Sequence, residues 1–159
     1  MGAASGELQI LTPTDTEIVM TWEFNAPCDL VFEAHTSCEH MSHWWGPRRY
    51  EVVKCEVDFQ EGGKWRIVHR GPDGDEHAFS GEYREIVRPE RIVWTFKYEG
   101  APGDPGVETL TLEEDDGKTT LRTVSYFDNV QIRDEVLESG MLEGARETWE
   151  RLAEYLEEL

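Results

Sequence analysis

The sequence is poor in lysine and lacks any long apolar run. Four of its 15 basic residues are lysines, and 34 residues are acidic, so the formal net charge at pH 7 is −19. Phosphate backbones and anionic membrane surfaces attract basic proteins, so this charge argues against nucleic acid and against membrane surfaces as partners. Because no apolar stretch approaches about 18 residues, we also expect no membrane insertion.

The sequence also lacks an export signal, a cofactor-binding motif and an even number of cysteines that could all pair in disulfides. The first residues do not combine a basic segment with an apolar one, as a secretory signal does. The three cysteines, Cys28, Cys38 and Cys55, are odd in number, so we predict free thiols in a reducing compartment and a cytoplasmic protein. No phosphate-loop, dinucleotide or nucleophile-elbow motif occurs, and we expect no cofactor.

What the sequence does contain is a regular succession of strand patterns. The 159 residues suffice for one domain, which we place at residues 15–159 after a loose tail over residues 1–14. Alternating apolar and polar residues predict strands, and short turns between them predict antiparallel neighbours. The expected strands are 16–24, 50–60, 64–70, 77–86, 91–98, 107–113 and 119–127. Two short helices are expected after the first strand, one beginning at Pro27 and one over residues 38–44.

Residues 130–158 predict one long amphipathic helix that covers the sheet. Asp128 or Asn129 is placed to cap its start. Its apolar face follows the helical period and consists of Leu137, Met141, Ala145, Trp149, Leu152 and Leu156. Gly140 and Gly144 fall inside this helix, where close packing on the sheet and room for a ligand explain them equally well.

Cross-strand chemistry predicts the registers of three hairpins, because apolar residues pair with apolar ones and opposite charges with each other. The predicted pairs are Trp65 with Gly81, Ile67 with Phe79, His69 with His77, Lys64 with Glu82, Arg70 with Glu76, Tyr83 with Trp94, Phe79 with Tyr98, Leu110 with Leu121 and Leu112 with Thr119. These registers give the sheet one aromatic-rich inner face and one charged outer face, so it is expected to be covered on one side.

Three stretches of this pattern resemble a known family. They are residues 44–47 (Trp-Trp-Gly-Pro), residues 81–86 followed by 89–95, and residues 139–144 followed by Arg151 and Leu152. They are similar to the START-like helix-grip superfamily, and within it to the family named after the activator of the Hsp90 ATPase. The resemblance implies an α+β fold in which an antiparallel sheet of six to seven strands wraps around the C-terminal helix, with a cavity between them.

The same resemblance implies a range of functions. Relatives in the superfamily bind lipids, hormones and polyketides, and some are cyclases or hydrolases. The eukaryotic co-chaperones that name the family carry a further N-terminal domain, which we do not expect in this chain. We therefore expect binding of a small hydrophobic ligand first. The alternatives are a cyclase- or hydrolase-type enzyme in the same cavity, and a module that modulates an Hsp90-type ATPase through a basic partner surface.

The inner face of the sheet is the candidate ligand site, because apolar pockets with few polar groups are typical of small-molecule sites. The many aromatic side chains on this face favour a planar or polycyclic apolar ligand over a sugar or nucleotide. Of the two adjacent tryptophans, one is expected in the core and one at the cavity mouth. The alternative, that both rings have a purely structural role, fits the sequence nearly as well. The expected lining is Trp44, Trp45, Trp65, Ile67, His69, His77, Phe79, Tyr83, Trp94, Phe96, Thr123, Met141 and Gly144.

Titratable side chains give two further hypotheses. His69, His77 and Tyr83 are the candidates for acid–base catalysis, and the alternative for the two histidines is a place on the rim bonded to water or Glu76. A second group collects thiols and imidazoles before the second strand: Cys28, His35, Cys38, His40 and His43. Its spacing matches no zinc finger, so we expect no metal there.

Overall fold

The computed structural model describes residues 8–100 and 105–159, and these residues contain eight strands and four helices. The strands are β1 (Gln9–Leu11), β2 (Glu17–Phe24), β3 (Glu51–Val57), β4 (Lys64–Arg70), β5 (Glu76–Val87), β6 (Arg91–Tyr98), β7 (Gly106–Asp115) and β8 (Lys118–Tyr126). The helices are α1 (Cys28–Glu33), α2 (Cys38–Met41), α3 (Val130–Glu138) and α4 (Met141–Glu158). The α+β architecture and the two short helices after the first long strand confirm the predicted fold.

All eight strands form one antiparallel sheet in the order β1-β2-β8-β7-β6-β5-β4-β3. The sheet has one strand more than the expected six to seven, because Gln9–Leu11 pairs with the edge of β2. Part of the predicted loose tail is therefore a strand, whose backbone satisfies groups that the edge of β2 would otherwise expose. Residues 1–7 of that tail lie outside the described residues.

The predicted registers of the two central hairpins are confirmed. Trp65 pairs with Gly81 and His69 with His77 in the β4–β5 hairpin, and Tyr83 pairs with Trp94 in the next one. The position opposite Trp65 requires glycine, because a Cβ there would collide with the carbonyl oxygen of Thr95 and approach the Trp65 indole nitrogen to 2.7 Å.

The register predicted for the last hairpin is wrong by two residues. Leu110 pairs with Thr123, and Leu112 pairs with Leu121. The turn is made by Asp116 and Gly117, which both have positive φ, as a two-residue hairpin turn of type I′ demands. A shift of two residues leaves every side chain on its predicted face.

The expected single C-terminal helix is two helices. The side chain of Asn129 caps α3 by accepting a 2.9 Å hydrogen bond from the Ile132 N–H. Gly140 then adopts a φ of +84° between the helices, a conformation that ends α3 and that glycine adopts without strain. On α4, Trp149, Leu152 and Leu156 are buried as predicted, together with Ala153 and Tyr155.

The prediction of three free thiols is also wrong. Cys38 on α2 and Cys55 on β3 form a disulfide with a Cα–Cα distance of 5.7 Å, and Cys28 is the free, buried cysteine. The packing of α2 on β3 brings the two positions into disulfide range although 17 residues separate them. The expectation of a reducing compartment therefore loses the support that free thiols gave it.

Candidate functional site

The inner face of the sheet has a closed end and an open end. At the closed end Ile92 and Leu121 are completely buried. At the opposite end the inner-face side chains of four neighbouring strands are partly exposed, although each points to the helix side of the sheet. These side chains, which we call the open-end set, are Phe79 on β5, Phe96 on β6, Glu108 on β7 and Ser125 on β8.

Helix α3 is anchored beside this end of the sheet by one arginine. The Arg133 side chain donates hydrogen bonds to the carbonyl oxygens of Thr14 (2.8 Å) and Glu17 (3.5 Å), beside the start of β2. In the pairing of β2 with β8, Ile18 lies opposite Ser125, so this anchor fixes α3 near the open-end set. No side chain of α3 is fully buried, and Ile132 is 39% exposed.

Glu108 is the residue of this site that the sequence analysis missed. Its carboxylate lies between Trp94 and Ser125 in adjacent strands. The Trp94 indole N–H donates to Oε1 at 2.8 Å, and the Ser125 hydroxyl donates to Oε2 at 3.0 Å. Burial raises the pKa of the Glu108 carboxyl above its usual value, and the two hydrogen bonds oppose this rise.

Several buried polar atoms of the inner face have no hydrogen-bond partner within the described residues. They are Nε1 of Trp22, Nε1 of Trp65, Nδ1 of His69, the hydroxyl of Tyr83 and Oγ1 of Thr123. Each such atom costs about 1–3 kcal/mol unless something bonds to it. Thr123 lies two residues from Ser125 on β8, next to the open-end set, where a ligand or water would satisfy its hydroxyl, whereas Trp22 lies opposite Leu121 at the closed end.

The two adjacent tryptophans divide their roles. Trp44 is buried and donates from its indole N–H to the Ala34 carbonyl at 3.0 Å, so it is part of the core. Trp45 stacks on Phe96 with ring centroids 6.1 Å apart and meets Phe79 edge-on at 5.9 Å. The indole of Trp45 therefore forms a wall of the open end, although it is itself almost fully covered.

The loop that carries Trp45 is fastened to α4 by one arginine. Arg151 donates from Nη1 to the carbonyl oxygens of Trp45 (3.0 Å), Gly46 (2.8 Å) and Pro47 (3.2 Å). Gly144 also belongs to this contact, because a Cβ at this position would touch Pro47 at 3.5 Å. Gly144 thus faces the loop, and Met141, at the start of α4, is 45% exposed.

His69 is buried beneath this loop. Its ring packs against Tyr50 and Phe79, and Gly46 approaches so closely that a Cβ would lie 2.5 Å from Nδ1. Burial, with repulsion from His77, lowers the pKa of His69 to about 4. The imidazole is therefore neutral near pH 7, which disfavours a role as a general acid.

His77 lies on the rim of the open end in a chain of hydrogen bonds. Its Nε2 is 3.0 Å from an Asp75 carboxylate oxygen, which also accepts from the Tyr50 hydroxyl at 2.6 Å. A carboxylate only accepts, so Nε2 carries the proton, and Nδ1 accepts from the Tyr98 hydroxyl at 2.7 Å. Both ring nitrogens of His77 are therefore engaged in hydrogen bonds.

The remaining predicted lining residues lie deeper. Tyr83 is completely buried between Phe59 and Trp94, and burial raises the pKa of its phenol, which keeps it protonated. Trp65 and Ile67 are fully covered core residues of β4. Of the three candidates for acid–base catalysis, His77 is thus the one on the exposed rim.

The cysteines and histidines before β3 point to separate places. His35 donates to the Val31 carbonyl within α1, whereas His40 bonds to the Tyr155 hydroxyl at 2.6 Å. Cys38 is in the disulfide, and the Cys28 thiol donates to the Pro89 carbonyl. Across residues 8–100 and 105–159, no three His, Cys, Asp or Glu side chains are grouped so as to hold a metal ion.

Two open grooves lie away from the helix–sheet interface. One, of about 640 Å³, is at the β3–β4 turn and includes Asp58 and Lys64. The other, of about 540 Å³, is on the outer face and includes Arg66, Glu82 and Glu99. Neither is the predicted cavity, and charged linings of this kind suit polar contacts better than an apolar ligand.

An antiparallel sheet that grips a C-terminal helix, with polar groups on an otherwise aromatic inner face, defines a helix-grip protein. Residues 25–157 match the family described as Activator of Hsp90 ATPase homolog 1-like protein, and the chain belongs to this family. A comparison with curated proteins returns no match.

Solved structures share the fold. A Rhodobacter sphaeroides protein aligns with a TM-score of 0.88 at 25% identity, over 96% of this chain and 99% of its own. A Nitrosomonas europaea protein gives 0.83 at 23% identity, over 92% and 97%. The AHSA1 protein of Silicibacter pomeroyi gives 0.72 at 18% identity, over 88% and 96%. Within the part of the chain that the structure describes, none of the helices has the length and apolar content needed to cross a membrane.

Proposed function

We propose that the protein binds a small apolar molecule at the open end, between the inner face of the sheet and helices α3 and α4. The observation that carries the proposal is the partial exposure of the open-end set, whose neighbours on the same face, Trp94, Leu110 and Thr123, are buried. A ligand there would remove the rings of Phe79 and Phe96 from water, and apolar burial is favourable by about 25 cal/mol per Å².

The polar atoms of the site support a binding role rather than simple core packing. Glu108 and Ser125 already bond to each other, and Thr123 next to them has a buried hydroxyl with no partner among the described residues. Small-molecule sites typically combine apolar walls with a few such groups that orient the ligand. A core that only stabilises the fold would favour apolar residues at these positions.

Acid–base catalysis at the same opening is the second candidate, and it rests on His77. The hydrogen bonds from Asp75 through His77 to Tyr98 link an imidazole at the rim to the exposed Tyr98 side chain, whose hydroxyl would pass the proton between His77 and a ligand. His69 is neutral and covered, and Tyr83 is completely buried, so neither supports this candidate.

The experiment is a titration of the protein with 1-naphthylmethanol, a neutral aromatic probe, by isothermal titration calorimetry. We expect saturable binding that Ser125→Phe weakens at least tenfold, because the new ring fills the opening. The matched control is Thr120→Phe on the exposed outer face of β8, which leaves the affinity unchanged.

Absence of saturable binding, or equal loss in the two variants, contradicts the proposed site. Thermal unfolding of both variants shows whether they remain folded. Mass spectrometry of the probe after incubation separates the two candidates, since an unaltered probe is expected for a binding protein and a converted one for an enzyme.

A further inference from the structure

We infer that the ligand of the open end carries a protonated amine, and that the Glu108 carboxylate is the group that binds it. This inference rests on the proposed function and deepens it, because it names the charged group of the apolar ligand. The class is an aromatic or polycyclic amine, as opposed to a neutral molecule or a carboxylic acid.

The first argument is the placement of Glu108 on the inner face. Residues alternate between the two faces along β7, so Glu108 shares its face with Leu110 and Leu112, which are buried core residues. A carboxylate at such a position is costly unless a partner of opposite charge or several hydrogen bonds compensate it. The outer face of β7, where Glu113 is exposed, would carry the same charge at no such cost.

The second argument is the partial compensation of this carboxylate. Trp94 and Ser125 supply one hydrogen bond to each oxygen, which fixes the plane of the carboxylate. A carboxylate has about four acceptor positions, so acceptor capacity remains. Among the described residues, no lysine, arginine or histidine forms an ion pair with Glu108. Arg133 on α3 bonds to backbone carbonyls and to Asp134.

The third argument is the unpartnered hydroxyl of Thr123. This side chain is 2% exposed, belongs to the inner face, and lies two residues from Ser125 on β8. An ammonium group has three N–H donors, of which a fixed carboxylate takes one or two. The Thr123 oxygen is an additional acceptor in the next row of the sheet. The Glu108 carboxylate and the Thr123 hydroxyl together thus offer acceptors for the three N–H donors of a protonated amine.

The aromatic walls and the overall charge favour the same ligand. The rings of Trp94 and Phe96 meet edge-on with centroids 6.1 Å apart, and Trp45 stacks on Phe96. Such ring faces attract cations and also pack against apolar ring systems. With a net charge of −19, the protein attracts cations over long range and repels fatty acids and phosphates.

The test compares three probes that share one ring system: 1-naphthylmethylamine, 1-naphthylmethanol and 1-naphthoic acid. Isothermal titration calorimetry at pH 7 measures their affinities for the whole protein. Charge-assisted hydrogen bonds are roughly twice as strong as neutral ones, so we expect the amine to bind roughly 10- to 100-fold more tightly than the alcohol. The acid is expected to bind more weakly than the alcohol.

Glu108→Gln removes the charge but keeps the shape and an acceptor for Trp94. It should reduce the preference for the amine over the alcohol to within about threefold, while the affinity for the alcohol stays the same. Glu113→Gln is the control, since it removes one charge from the exposed face of the same strand. It should preserve the preference of the wild-type protein.

Each outcome decides a different point. An amine that binds no better than the alcohol, or a preference that survives Glu108→Gln, overturns the inference and leaves the proposed function in place. Equal losses in Glu108→Gln and Glu113→Gln would assign the preference to net charge and also overturn the inference. If no probe binds, the proposed function itself fails, and the inference with it.

Discussion

Two buried histidines should make the protein lose stability as the pH falls below 6.5. Burial lowers the pKa of both His35 and His69 to about 4, from a value of 6.5 in an exposed histidine. Between these pH values the unfolded chain binds protons that the native protein does not bind. The stability that the neutral imidazoles contribute is therefore complete above pH 6.5 and is lost as the pH falls towards 4.

The magnitude follows from the two pKa values. At pH 5.0 an unfolded histidine is almost fully protonated and the native one is almost fully neutral, which costs about 2 kcal/mol for each histidine relative to pH 7.5. Both side chains are almost fully covered, at 1% and 4% exposure, so solvent screening reduces this figure little. The two together should contribute about 4 kcal/mol.

Carboxylates also titrate in this range, so the measurement must compare variants with the wild-type protein. We propose His35→Gln, His69→Gln and the control His43→Gln, which removes an exposed imidazole stacked on Tyr155. Urea unfolding followed by tryptophan fluorescence gives the free energy of unfolding at pH 7.5 and pH 5.0.

Between pH 7.5 and pH 5.0, the free energy of unfolding of His35→Gln and of His69→Gln should each fall by about 2 kcal/mol less than that of the wild-type protein. This difference does not depend on the stability of the variant at pH 7.5. The His43→Gln variant should follow the wild-type protein. If all three variants show the wild-type pH dependence, the histidines are not held neutral in the native state, and the reasoning fails.

Three further predictions concern backbone and cysteines. Gly144→Ala should stabilise the protein by about 0.5–1 kcal/mol, because Gly144 lies inside α4 with room for a methyl group. Gly140→Ala should destabilise it by about 1 kcal/mol, because Gly140 has a positive φ. Thermal unfolding of the two variants tests both expectations. Gly81→Ala should cost about 1–3 kcal/mol in urea unfolding, because the new methyl group meets the Thr95 carbonyl, and a neutral result would contradict the close packing. Under denaturing conditions without a reductant, alkylation should label Cys28 alone, and labelling of all three cysteines would show that the disulfide is absent from the purified protein.

The sequence was informative where side chains decide the structure. The β4–β5 register could be predicted because a glycine must lie opposite Trp65 and because opposite charges flank it. The register of the β7–β8 hairpin depends on the backbone of Asp116 and Gly117, and the alternation of leucines fits two registers equally well. The alternation of apolar and polar residues determines which face of the sheet each side chain lies on, but it does not distinguish two registers that differ by two residues.

The site was predictable in part. Its aromatic walls, Phe79, Phe96 and Trp45, follow from alternation along the strands and from the family motif. Glu108 follows from the same alternation, since it is in step with Leu110 and Leu112 along β7, and a glutamate in such a position is the available signal. The disulfide required knowledge of how α2 packs on β3, which no local pattern contains.

The break between α3 and α4 illustrates the same limit. The apolar period continues from Leu137 to Leu156 and predicts one helix, and a single glycine costs only about 1 kcal/mol within a helix. What decides the break is the positive φ of Gly140, which lets α3 turn towards the start of β2, where Arg133 is bound. The open end of the sheet depends on this turn.

The most direct test of the ligand site is a map of amide chemical shifts in the labelled protein, recorded while 1-naphthylmethanol is added. Binding at the open end should shift the amides of Phe79, Phe96, Glu108 and Ser125 in a saturable manner, and leave Leu121 at the closed end unchanged. Shifts confined to the outer-face groove, or shifts that do not saturate, would contradict the account.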